Sequence, residues 1–291
     1  MMRQLSTVLI LIITMFCSHD AYSIVRGETL SHLKKGRKHT QNAIKQNIFV
    51  MDRDCVLNPD IKGPRRLVFV FEGYNAYRMR DAYMLKTKGI LPPNPKGTLH
   101  SRLLYHVVGE VVHNLKDTDW FYFSQDYNRG VKKAFLCARK LAKKSWPMGE
   151  DKKPHYSTII AIGYSYGGDS VFEFAELLSR IDIKVDLIIS MDAIEKLHFP
   201  VIYPKYHNFK KGKNVEDLVY YYQRDDKISG IIFPLYGKKD NDGGRLKKFT
   251  INNWNAHLML PSDPKVKQAL VDDIMAVDPY RESYLVTSDT E

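Results

Sequence analysis

Cysteine is scarce: the 291 residues contain three. One of these, Cys17, lies in the first apolar segment, so the rest of the chain can form a single bridge, Cys55–Cys137. A small scaffold held by many disulfides is therefore excluded. Whether those two cysteines pair, or Cys137 stays a buried thiol on the apolar side of a helical pattern, is open at this level. No apolar run has the roughly 20 residues that a membrane-spanning helix requires. Internal repeats and low-complexity linkers are absent, which excludes solenoids and tandem arrays. No groove-reading motif is present either, so nucleic acid is not the expected partner.

What the sequence does have begins with a leader. Arg3, the apolar run Thr7–Cys17 and the small residues around Ala21-Tyr22-Ser23 read as a signal peptide over residues 1–23, and export to the periplasm or beyond is expected. A lipoprotein signal is disfavoured by bulky Phe16 ahead of Cys17. The net charge of +11 survives leader removal, because Arg3 and Asp20 cancel. That charge suits an anionic surface such as a membrane or a cell-wall polymer. Residues 24–46 form a basic arm around Lys34, Lys35, Arg37 and Lys38.

From residue 47 the chain reads as one α/β domain with a mostly parallel central sheet and helices on both faces. Strands are expected at 47–51, at the continuous apolar run Arg66–Phe71, at Trp120–Phe123, Thr158–Ile162, Val185–Met191 and Leu218–Tyr222, and more weakly at Phe249–Ile251. Unbroken apolar runs suit strands covered on both faces. Helical spacing occupies Leu99–Leu115, Val131–Ala142, Val171–Leu178 and Pro264–Met275, the last with Asp263 as N-cap. Insertions at about 75–97 and 193–216 interrupt the rhythm. Stretches of that length commonly carry function.

The stretch Gly163-Tyr164-Ser165-Tyr166-Gly167 follows a buried strand and opens an amphipathic helix. Flanking glycines let strand and helix crowd together, so that a serine can be held at strained φ/ψ with its hydroxyl above the sheet. A serine that only caps the helix is the plainer reading. A reactive serine needs a base. Of the ten histidines, His257 follows the last strand and precedes the closing helix, on a loop able to return to the sheet's carboxyl edge. His198 and His207 belong to an insertion and rank as substrate contacts. A carboxylate must orient the imidazole. Asp192 is preferred, because it ends a very apolar strand at that edge; Asp226 and then Asp225 are the alternatives.

The order serine, aspartate, histidine on alternating strands and helices resembles the α/β-hydrolase superfamily, in particular its lipases and esterases, over roughly residues 65–277. The resemblance implies Ser165 as nucleophile, His257 as base, and an oxyanion hole from the N–H of Tyr166 with that of Gly73 or Tyr74. Glu72 departs from the His-Gly common in lipases at this point. The tyrosines on either side of Ser165 are a second departure, placed to shape an acyl pocket. The implied chemistry is acyl transfer from a small-molecule or lipid ester to water, with no cofactor and no metal; Asp240-Asn241-Asp242-Gly243 lacks a full calcium-loop pattern. The apolar stretch His198–Pro204 suggests a lid or cleft wall. A thioesterase or peptidase would use the same residues, and a non-catalytic binding protein on the same fold is the alternative from another class.

Overall fold

The computed structural model describes residues 49–51, 55–73, 111, 115–123, 129–146, 153–193, 211–223, 243–251 and 256–282. Among the described residues seven strands form one sheet: β1 Phe49–Met51, β2 Arg66–Phe71, β3 Thr118–Phe123, β6 Thr158–Tyr164, β7 Val185–Met191, β8 Val215–Tyr222 and β9 Arg245–Lys248. Their order is β1-β3-β2-β6-β7-β8-β9, and every neighbouring pair is parallel. A two-stranded antiparallel ribbon, β4 Ser145–Trp146 with β5 His155–Tyr156, stands apart. Among the described residues the helices with stated bounds are α1 Arg129–Ala142, α2 Tyr166–Ser179, the short α3 Ala256–Met259 with a 3-10 turn at Leu260–Ser262, and α4 Pro264–Met275. This is an α/β architecture, a parallel sheet with helices on both faces.

Burial explains why the central strands read so clearly. Every residue of β2, β3, β6 and β7 is buried, because side chains alternate between two covered faces. One face packs Leu67, Phe69, Phe71, Phe121 and Phe123 against Val131 and Ala138 of α1 and Phe174 and Leu178 of α2. The other packs Val68, Trp120, Ile160 and Tyr221 against Val266, Leu270 and Ile274 of α4. Each such large apolar side chain contributes about 1.5–3 kcal/mol on burial. Asp263 caps α4, its Oδ1 accepting from the N–H groups of Lys265 (2.7 Å) and Val266 (3.3 Å).

The two edges of the sheet are built differently. At the amino edge, Arg65 and Asp119 form a buried ion pair at 2.7 Å, and Asp119 also accepts the N–H of Asn58 at 2.7 Å. The Arg65 guanidinium lies over Trp146, 4.6 Å from the ring centroid. Further along that edge, Asp186 accepts from the Ile159 N–H at 2.7 Å and from Arg281 Nη1 at 2.9 Å. At the carboxyl edge the register aligns Phe71 with Phe123 and Gly163, and Met191 with Tyr164 and Tyr221. The residues that follow β2, β6, β7 and β8 therefore emerge side by side.

Three expectations are corrected. The last strand is Arg245–Lys248 rather than Phe249–Ile251. It is an edge strand with half-exposed side chains, so it carries no apolar run, while Phe249 packs against the core beside Tyr221. His257 lies in α3 rather than on an irregular loop. Strand β8 starts at Val215, three residues ahead of its apolar run, and its polar start is wet, Glu216 being exposed and Asp217 half-buried. Cys55 and Cys137 form a disulfide, with Cα atoms 5.4 Å apart, that ties the segment before β2 to α1.

Candidate active site

Ser165 occupies the turn between β6 and α2 at φ 56° and ψ −121°. A non-glycine residue there is strained by about 1–3 kcal/mol and is held only by rigid surroundings. Those surroundings are visible. The Ser165 N–H donates to Met191 O at 3.0 Å, and Ser165 O accepts from the Gly168 N–H at 2.9 Å. A Cβ at Gly163 would stand 2.0 Å from Gly167 O, and one at Gly167 would stand 2.0 Å from Phe71 O. Both glycines are thus required by contact between backbones. Ser165 does not cap α2, since its side chain makes no capping hydrogen bond.

Asp192, the first residue beyond β7, also has positive φ, 43°. Its N–H donates to Tyr221 O at 2.7 Å, which fastens the turn to β8. His257 lies between the two turns: its Nδ1 is 2.7 Å from Asp192 Oδ2 and its Nε2 is 3.1 Å from Ser165 Oγ. Asp192 Oδ2 also accepts from Gln223 Nε2 at 2.9 Å. In the tautomer whose Nδ1–H donates to the Asp192 carboxylate, Nε2 is left to accept from the serine hydroxyl. Ser165 and Asp192 are buried, and the His257 side chain is 12% exposed. A row of this kind is able to take the serine proton onto the imidazole while the carboxylate balances the positive charge.

Tyr164 holds the histidine from below. Its hydroxyl donates to His257 O at 2.7 Å, and its ring stacks on the imidazole with centroids 5.1 Å apart. Tyr164 is 1% exposed, so it does not line an acyl pocket; it joins the serine's own strand to the segment bearing the histidine. The residue beyond the serine, Tyr166, opens α2.

Gly73 lies beside the serine, a Cβ built on it standing 3.2 Å from Ser165 Cβ. Its N–H, however, donates to Glu72 Oε1 at 3.3 Å, and Glu72 is fully buried. Tyr74, Asp225, Asp226, His198 and His207 lie outside the described residues. Gln223 and the tie from Tyr164 were not anticipated. The available signal for Gln223 was a polar residue directly after an apolar strand, the pattern that marks Asp192. Among the described residues, no group of three or more His, Cys, Asp or Glu is placed to hold a metal ion.

Comparison with solved structures returns esterases and lipases. EstE5, in a crystal soaked with p-nitrophenyl butyrate, is 14% identical, with 75% of this chain and 77% of that one covered at a TM-score of 0.45. An esterase/lipase from an uncultured bacterium is 13% identical over 84% and 89%, at 0.44. An esterase from Pyrobaculum calidifontis is 11% identical over 87% and 95%, at 0.42. No family model and no curated protein matches the sequence.

Proposed function

We propose that the protein is an exported serine hydrolase that cleaves carboxylic esters through an acyl-enzyme. The observation that carries this reading is the row from Ser165 Oγ to His257 Nε2 at 3.1 Å and from His257 Nδ1 to Asp192 Oδ2 at 2.7 Å. Oγ attacks the ester carbonyl as its proton passes to Nε2, and a C–O bond forms. The imidazolium then protonates the alcohol oxygen as the original C–O bond breaks. Water repeats the sequence in reverse roles and releases the acid. The developing oxyanion is held by the N–H of Tyr166 and by the loop after β2. The second donor is Gly73 or Tyr74, although the Gly73 N–H donates to Glu72 Oε1 at 3.3 Å.

Export is supported by the leader-like residues 1–23 and by the Cys55–Cys137 disulfide, a bond that persists in oxidising compartments. The net charge of +11 favours substrates presented at anionic membranes or wall polymers, and the apolar stretch His198–Pro204 favours a lipid ester. Two measurements test the reading. A fluorophosphonate probe labels the folded protein and not Ser165→Ala. A panel of p-nitrophenyl esters of increasing acyl length is hydrolysed with a dependence on length, and Ser165→Ala abolishes it. Absence of labelling would replace the enzyme with a binding protein on the same fold. Faster turnover of a thioester or peptide would move the substrate class and keep the mechanism.

A further inference from the structure

We infer that Gln223 is a positioning residue for the acid, fixing the Asp192 carboxylate toward His257 through a hydrogen bond from the neighbouring strand. The expected effect on turnover rests on the hydrolase reading above; the geometry does not. Asp192 is the first residue after β7, on a turn with φ 43°. Both donors to its carboxylate converge on one oxygen: Oδ2 accepts from His257 Nδ1 at 2.7 Å and from Gln223 Nε2 at 2.9 Å. Among the described residues, Oδ1 is buried without a hydrogen-bond partner. A carboxylate held only by the imidazole would turn about its Cβ–Cγ bond whenever that partner moved. A second donor, arriving from a different strand, removes the freedom.

The site is built for the purpose. Gln223 is 2% exposed and directly follows β8, whose Tyr221 carbonyl already holds the Asp192 N–H at 2.7 Å. Strand β8 therefore fixes Asp192 twice, by backbone and by side chain. The amide is also the appropriate donor. An arginine or lysine there would neutralise Asp192 and weaken its hold on the imidazolium, and a carboxylate would repel it. Glutamine donates N–H without carrying charge, so the full negative charge of Asp192 stays available to His257.

The test uses the full chain and p-nitrophenyl butyrate. Gln223→Met keeps the shape and removes the donor; kcat is expected to fall about tenfold, as for loss of a hydrogen bond to a charged group, with KM within twofold. In an Asp192→Asn background the same change should alter the fluorophosphonate labelling rate less than twofold, because its route of action is gone. Unchanged kcat, or an equal loss in both backgrounds, overturns the proposal. A readout without turnover is the low-field proton resonance of His257 Nδ1–H, identified by its loss in His257→Ala. It should move or broaden in Gln223→Met, and an unmoved signal counts against the proposal. A wild type that hydrolyses no ester refutes the hydrolase reading, while this resonance still judges Gln223. If the Met variant does not fold, Gln223→Glu serves at pH 8: reduced kcat supports the role and full kcat refutes it.

Discussion

The two edges of the sheet both bury aspartates, yet they partner them differently. At the amino edge Asp119 faces the guanidinium of Arg65 and Asp186 that of Arg281. At the carboxyl edge Asp192 faces an imidazole and a neutral amide. A guanidinium fixes an ion pair for the life of the fold. An imidazole can accept and release a proton within one cycle, so the same carboxylate becomes part of a reactive device. The non-glycine strain follows a related division. Asp117 and Asp182, also at positive φ, lie in turns leading into strands, whereas Ser165 and Asp192 lie in turns leaving them.

The comparison is broken most severely at the carboxyl edge. Ser165→Ala is expected to reduce kcat by about 10⁴-fold or more, with a melting temperature close to wild type. Asp192→Asn should cost nearly as much, about 10⁴-fold in kcat, and its KM should stay within a few-fold. At the amino edge the effects invert. Asp186→Ala leaves Arg281 buried and unpaired, and chemical denaturation should record a loss of about 3–5 kcal/mol at unchanged kcat per folded molecule. Replacing both partners, Asp186→Leu with Arg281→Met, should recover most of that loss. An amino-edge change that lowered kcat in the folded protein would contradict the division.

Smaller changes sharpen it. Tyr164→Phe removes the hydrogen bond to His257 O while keeping the stacked ring, and about 1 kcal/mol corresponds to a fall in kcat of less than tenfold. The smallest effect concerns Asp119. Burial pushes its carboxyl above the ordinary range, opposed by the hydrogen bond and charge of Arg65. A group with a raised folded value contributes its stability when protonated, and that contribution fades as pH rises through the folded value. The advantage of wild type over Asp119→Asn should therefore be largest in acid and narrow as pH rises past the usual carboxylate range, in urea melts from pH 3 upward.

How much of this the sequence disclosed follows from what each residue must do. Strands β2, β6 and β7 announce themselves because both faces are covered, leaving unbroken runs such as Val185–Met191. Strand β9, with one neighbour and a half-wet surface, has the composition of a loop, and α3 has only four residues in which to show a period. Ser165 was legible because its turn tolerates no side chain at Gly163 or Gly167. Gln223 was not, since a neutral amide leaves no charge pattern and its reach to Asp192 depends on the register of β8 against β7. The hidden tie at Tyr164 has the same origin: it joins residues 93 positions apart.

The missing side chain at Gly167 has a consequence for anyone who would remodel this protein. With Phe71 O only 2.0 Å from where a methyl would begin, the serine's helix and the strand beneath the Glu72-Gly73 turn touch with no clearance. Even alanine there would wedge the two apart, and the gap would open beside the hydroxyl itself. Redesign around Ser165 must therefore proceed from the outer rim inward, leaving this hinge of bare backbone untouched.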